Sequence, residues 1–131
     1  MESQEVFTAF SKAGKLLLPE TKVDFSKIPW SKHPKFEGVE LKHLLTSEHT
    51  KGQFSYHLVK IASNKSIGNH THEGQLETHE IIAGKGTCMN KGVWLDYEPG
   101  VISIFSMNSP HEVHAGDEGL YLFAKFIPAL V

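Results

Sequence analysis

Cysteine is nearly absent from this chain: Cys88 is the only one among 131 residues. A lone thiol cannot close an intramolecular disulfide, so burial and hydrogen bonding must hold the fold, and a reducing, cytoplasmic setting fits. Long apolar runs are also missing. No stretch approaches the ~18 apolar residues that span a bilayer. The start, Met1-Glu2 with Leu16-Leu17-Leu18 as its only early apolar run, lacks the basic and apolar regions of a secretory leader. There is no excess of charge of one sign. The formal net charge is −2, which offers no attraction to nucleic acid or to an anionic membrane surface. A Gly-x-Ser-x-Gly elbow, a phosphate-binding glycine loop and a dinucleotide fingerprint do not occur, and no Cys-x-x-Cys accompanies Cys88.

The composition that remains, 40% hydrophobic and 21% charged, can build one compact domain with a core. Histidine is the outlier, with nine residues. Several of them would gain charge below pH ~6.5.

Residues 1–38 read as an N-terminal arm. Val6, Phe10, Ala13 and Leu17 fall at helical spacing, so residues 2–18 form either a short amphipathic helix or an extended arm. Pro19, Pro29, Pro34 and Gly38 break residues 19–38 into a wrapping segment anchored by Trp30 and Phe36. From Val39 to Val131 the texture is that of short strands. Val39, Leu41, His43 and Leu45 alternate with Glu40, Lys42 and Leu44. Residues 53–62 place Phe54, Tyr56 and Leu58 on one face and His57, Val59 and Ile61 on the other. Further strands are expected over 87–89, 93–97, 101–107, 112–114 and 120–127, and within 70–83 Glu73-Gly74-Gln75-Leu76 gives the chain room to bend before a strand that starts at Glu77. The turns between them fall at Gly84-Lys85-Gly86, Asn90-Lys91-Gly92, Pro99-Gly100 and Gly116 to Gly119. Eight or so short strands with regular turn signals and little helix predict an all-β sandwich or closed antiparallel barrel. Tyr56, Trp94, Phe105, Met107, Phe123 and Phe126 are assigned mostly to its core.

Chemistry concentrates in His70-Thr71-His72-Glu73-Gly74-Gln75-Leu76-Glu77-Thr78-His79-Glu80 and in Ser109-Pro110-His111-Glu112-Val113-His114. On a strand, residues i and i+2 share a side, so His70 and His72 present two imidazoles together, and Glu77 and His79 do the same. His111 stands where a later strand begins. Three imidazoles and a carboxylate suit a divalent transition metal (iron, zinc, nickel, copper or manganese) and disfavour calcium, which prefers oxygen. His79 points inward beside Glu77, as a hydrogen-bonded core histidine or as a catalytic proton-transfer residue. Glu73 and Glu80 are assigned to solvent. His57 reads as a buried structural histidine, His114 as facing away from the site, and Cys88 as a small buried hydrophobe.

The run His70-x-His72-x4-Glu77-x6-Gly84 resembles the first motif of the cupin superfamily. Pro99-Gly100 followed by His111 resembles the second, and the likeness covers roughly Leu41 to Ile127. It implies an antiparallel jelly-roll barrel of the RmlC-like kind with a metal at one mouth, held by His70, His72, Glu77 and His111. Two positions depart from the pattern: Asn64 stands where a glycine is expected and Ala115 where an asparagine is expected. Residues 30–44 and 119–126 are also similar to small dioxygenases that cleave acetylacetone or dihydroxyacetophenone-type ketones, and to the cupin domain of zinc-binding anti-sigma factors. The first likeness implies a metal-dependent enzyme acting on a small chelating molecule, a dioxygenase or a related isomerase or lyase. The second implies a binding or sensing module. The family further implies a homodimer.

Overall fold

The structure, a computed structural model, describes residues 3–131. Ten strands form. β1 (Lys15–Leu17) and β2 (Lys22–Asp24) make a separate hairpin in the arm. The other eight are β3 (Ser31–Lys32), β4 (Val39–Leu45), β5 (Ser55–Ile61), β6 (Ser66–His70), β7 (Leu76–Asn90), β8 (Val93–Tyr97), β9 (Ile102–Phe105) and β10 (His111–Ile127), joined in one antiparallel sheet. β10 pairs with β7 along its length, with β6 through its first residues and with β5 through its second half. β7 in turn pairs with β9 through Glu77–Glu80 and with β8 through Gly86–Asn90. The sheet therefore curls into a closed antiparallel barrel, one of the two forms the alternating pattern predicts and the jelly roll that the family resemblance implies.

Two of the expected turns are not turns. Gly84-Lys85-Gly86 lies inside β7, and Gly116 to Gly119 lies inside β10. The two stretches face one another, with a shift of register between Ala115 and Leu120. Gly84 has φ +78°, and a Cβ there would sit 2.1 Å from the carbonyl oxygen of Gly119. One on Gly86 would sit 2.2 Å from that of His114. These glycines serve close backbone approach at a bulge, where the paired strands bend without separating.

Both faces of β4, β5 and β10 are covered. Val39, Val59, Ile61, Leu122, Ala124 and Phe126 point into the barrel. Leu44, Leu58 and Phe123 point outward and are covered by Phe7 and Phe25 of the arm. Each such aromatic side chain contributes about 1.5–3 kcal/mol by leaving water. Lys42, expected at a half-exposed position, is instead buried, and its Nζ donates to the carbonyl oxygens of Ser11 and Phe25, 2.7 Å from each. This ammonium ties the arm to the barrel.

The arm itself departs from the helical reading of residues 2–18, of which residue 2 lies outside the described residues. A helix covers Ser3–Thr8, a π-helical turn covers Ala9–Ala13, and the chain then becomes strand. Phe7 and Ser11 are buried, whereas Phe10 is exposed and Leu17 is 71% exposed. Docking decides the buried face: Phe7 packs 4.6 Å from the ring of Tyr121 and 6.0 Å from that of Trp30. Two supposed core residues are also at the surface, Trp94 at 58% and Met107 at 49% exposure, because β8 is an edge strand and Met107 lies in the loop before β10. Cys88 is fully buried, as expected, and burial pushes its thiol pKa up. No helix among the described residues is long and apolar enough to cross a membrane.

Gly84→Ala should destabilise the fold by about 3 kcal/mol or more, because left-handed strain adds to a backbone clash. Gly92→Ala, at φ +80° with open space around it, should cost about 1 kcal/mol. Urea denaturation with an unchanged m value measures both. Equal losses would contradict the close-approach role of Gly84.

Candidate metal centre

The ends of the β7–β10 ribbon carry the polar cluster. His70 closes β6, and His72 follows in the loop that connects β6 to β7. Glu77 is the second residue of β7 and His111 the first of β10. His111 pairs with His70 across the sheet, whereas Glu77 pairs with Phe126 at the other end of β10. One ligand atom from each of His70, His72, Glu77 and His111 can be chosen so that all four lie within 4.8 Å of one another. Donors sharing a metal at ~2.1 Å lie roughly 3–4 Å apart, so the cluster has the dimensions of a coordination site. His70 and His72 share a face although only His70 is on a strand, because the loop turns its imidazole back; their rings are 4.9 Å apart.

The free nitrogens are set by a repeated device. His70 Nδ1 donates to the carbonyl of Gly68 at 2.7 Å, and His111 Nδ1 donates to that of Ser109 at 3.0 Å. Each ring, when neutral, therefore presents its Nε2 lone pair to the centre. Phe105 stacks on His111 at 4.1 Å and meets His79 edge-on at 4.7 Å, which fixes both rings.

Glu77 is 5% exposed. Its Oε1 lies 3.0 Å from His111 Nε2 and 3.5 Å from His72 Nε2. Although they lie close, Glu77 Oε1 and His111 Nε2 are both buried without a hydrogen-bond partner. Buried polar atoms are rarely left so. A carboxylate and an imidazole lone pair that face each other are the donor set a cation would satisfy. Burial alone would raise the Glu77 pKa. His79, and His111 when it is protonated, outweigh burial and hold the carboxyl well below the usual range.

His79 lies behind Glu77. Its Nε2 is 2.8 Å from Glu77 Oε2, and its Nδ1 is 2.9 Å from the Tyr97 hydroxyl. The consistent assignment has Nε2–H donating to the carboxylate and Tyr97 O–H donating to Nδ1. Sequence reasoning placed His79 beside Glu77 but did not find Tyr97, which had no motif to mark it. Of the remaining candidates, Glu73 is exposed. Glu80, assigned to solvent, accepts a hydrogen bond from Tyr56 at 2.9 Å. His114 faces away and contacts Ser66 and Glu112 at 2.7 Å each.

From the cluster a pocket of about 300 Å³ runs into the barrel between Val39, Leu41, Val59, Ile67, Leu122 and Phe126. His43 lines it as well, with its Nδ1 2.8 Å from Nδ1 of the buried His57.

A family model described as "Cupin domain" matches residues 57–124. The chain is 28% identical over 92 residues to a Thermotoga maritima protein named oxalate-binding protein, covering 68% of this chain and 75% of that one. It superposes on the crystal structure of a predicted oxalate decarboxylase from Thermotoga maritima with a TM-score of 0.72 and 25% identity, over 79% of this chain and 95% of that one. KdgF from Halomonas sp. shares the fold at a TM-score of 0.68 with 16% identity, over 79% and 90% of the two chains. Of the two departures from the motif pattern, Asn64 has φ +58°, a left-handed conformation that asparagine tolerates almost as glycine does. Ala115 is buried in β10 opposite Gly86.

Burial, aided by His43, lowers the His57 pKa from 6.5 to about 4. The unfolded chain therefore takes up a proton at His57 below pH ~6.5 that the folded chain refuses until about pH 4. Stability from this group is complete above pH ~6.5 and is lost as pH falls towards 4, by about 3 kcal/mol at most. In urea titrations of metal-free protein, His57→Gln should show a shallower loss between pH 6.5 and 4. An identical slope would contradict the burial effect.

Proposed function

The chain belongs to the cupin family, and from that premise we propose that it is a metal-dependent enzyme whose small organic substrate chelates a metal held by His70, His72, Glu77 and His111. The observation that carries this reading is the pair of buried, unpartnered atoms, Glu77 Oε1 and His111 Nε2, at the head of an otherwise apolar pocket. When bound, a divalent transition metal would supply Lewis acidity, and iron would also supply dioxygen chemistry. The chain's own residues do the rest. His79 and Tyr97 orient the Glu77 carboxylate, Phe105 and Phe126 keep water from the cluster, and the apolar walls hold the substrate body. A reaction of the dioxygenase type, or a related isomerisation or lyase step, fits such a site. We take the working unit to be a cytoplasmic homodimer, in which a second copy covers apolar side chains left exposed on β8 and β9, among them Trp94, Ile102 and Ile104. The relative named as an oxalate-binding protein favours a second reading, a module that binds a small ligand without turnover.

Elemental analysis of untagged protein, compared with a His70→Ala/His72→Ala double variant, tests the site. About one metal ion per chain is expected in the first and almost none in the second. Negligible metal in both would reject the proposal. Iron-loaded protein should consume oxygen with a β-diketone or a hydroxyaryl ketone. Absence of turnover with these and with oxalate, accompanied by a ligand-induced rise in melting temperature, would establish the binding module instead.

Tyr97→Phe keeps the packing but removes the donor to His79. Metal affinity should fall about ten- to hundred-fold, as measured by competition with a chelator. Unchanged affinity would contradict the orienting role of His79 and Tyr97.

A further inference from the structure

The pocket has a second polar feature that the metal reading leaves unused. His43 lines the pocket on β4, opposite His57 on β5. Phe126 separates this pair from the metal cluster: its ring is 5.5 Å from that of His57 and 4.9 Å from that of His72. The two Nδ1 atoms are 2.8 Å apart, so one must be protonated and the other must accept.

The rest of the chain of hydrogen bonds decides which. His57 Nε2 is 2.7 Å from Ser55 Oγ, and the backbone N–H of Leu130 donates to the same oxygen at 2.8 Å. Ser55 and His57 are fully buried. If His57 Nε2–H donated to Ser55, the serine would accept twice, and its own hydroxyl proton would have no acceptor among the described residues. A buried donor left in that state costs more than a hydrogen bond returns. In the other arrangement every proton is used. Leu130 N–H donates to Ser55 Oγ, Ser55 O–H to His57 Nε2, and His57 Nδ1–H to His43 Nδ1. His43 then carries its proton on Nε2, and no protein group among the described residues meets that atom. Burial lowers the pKa of both imidazoles, which keeps the relay neutral near pH 7.

We propose that His43 is a ligand-contacting residue whose Nε2–H, held as a donor by the Ser55–His57 relay, selects molecules with a metal-chelating head, an apolar body and a neutral oxygen acceptor such as a ketone. This assignment rests on the metal-dependent reading of the cluster and adds the chemistry of the opposite end of the ligand. The acceptor is neutral because the chain contains no arginine, and the one lysine lining the pocket, Lys32, is exposed at its rim. A second carboxylate at His43 would be buried without a cation. A pocket of about 300 Å³ holds roughly ten waters' worth of volume at ~30 Å³ each, so a molecule as small as oxalate would leave much of it wet.

Two measurements test this. Long-range 1H–15N spectra of metal-free protein at pH 7.5, assigned with His43→Gln and His57→Gln, should show His43 protonated on Nε2 and His57 on Nδ1. The reverse pattern would overturn the proposal without bearing on the metal. Zinc-loaded protein should bind 5-oxohexanohydroxamic acid about five-fold more tightly than hexanohydroxamic acid, the worth of one net hydrogen bond. His43→Leu should bind both equally. Equal binding of the two by the wild-type protein would overturn the role of His43. Binding of neither would instead count against the metal reading, and the tautomer pattern would still decide the relay.

Discussion

The structure depends on one bend. β7 and β10 form a two-stranded ribbon in which Glu77 pairs with Phe126 at one end and Asn90 with His111 at the other. At ~3.3 Å per residue, the thirteen steps from Glu77 to Asn90 would hold those ends roughly 40 Å apart if the ribbon were straight. Yet Glu77 Oε1 and His111 Nε2 are 3.0 Å apart. The ribbon must fold back on itself, and it does so where Gly84 and Gly86 let it approach the backbone of His114 and Gly119. Any side chain at Gly84 would push the strands apart at the bend, so the geometry of a site made from the ribbon's ends is decided at its middle.

Closing the ribbon creates an electrostatic problem that the rest of the barrel is built to contain. A carboxylate removed from water needs compensation, and a buried charge with partial compensation is costly. Glu77 has His79 against one oxygen, supported by Tyr97, and imidazole nitrogens against the other. The backbone carbonyl of Ser109 sets which nitrogen His111 turns to the cluster, and that of Gly68 does the same for His70. The same device recurs on the far wall, where Ser55 and Leu130 set the protonation of the His57–His43 pair. In both places a short chain of fixed donors converts an ambiguous imidazole into a directional group. This is how a small barrel with apolar walls can present oriented polar atoms at two points of one pocket.

The outer faces follow from the arm. Leu44, Leu58 and Phe123 would be exposed on an isolated barrel, and Lys42 would be solvated among them. Phe7, Phe25 and the carbonyl oxygens of Ser11 and Phe25 turn that surface into a second core. A lysine bound to two backbone oxygens is a specific fastening as well as a burial cost, because it can meet those acceptors only when the arm lies in one place.

Much of this was legible in the chain. Alternation located the strands of residues 39–62 and grouped His57, Val59 and Ile61 on one face, because a pleated strand has a strict period of two. The spacing from His70 to Gly84, with the later His111, singled out four residues that the fold brings within 4.8 Å, because ligand identity and local spacing are properties of sequence. Other features had no local signal. A glycine that bends a paired ribbon looks the same as one that makes a turn, so Gly84 to Gly86 and Gly116 to Gly119 were indistinguishable from hairpins. Helical spacing marked Val6 and Phe10, but the surface the arm met selected Phe7. Tyr97, Ser55 and Leu130 carry no motif, and all but Ser55 lie well away in sequence from the histidines they orient. Residue type and spacing were enough to say which groups could bind and which segments could be strands. Which of those groups face one another, and which nitrogen carries the proton, was settled only on folding, because both depend on pairings between residues tens of positions apart.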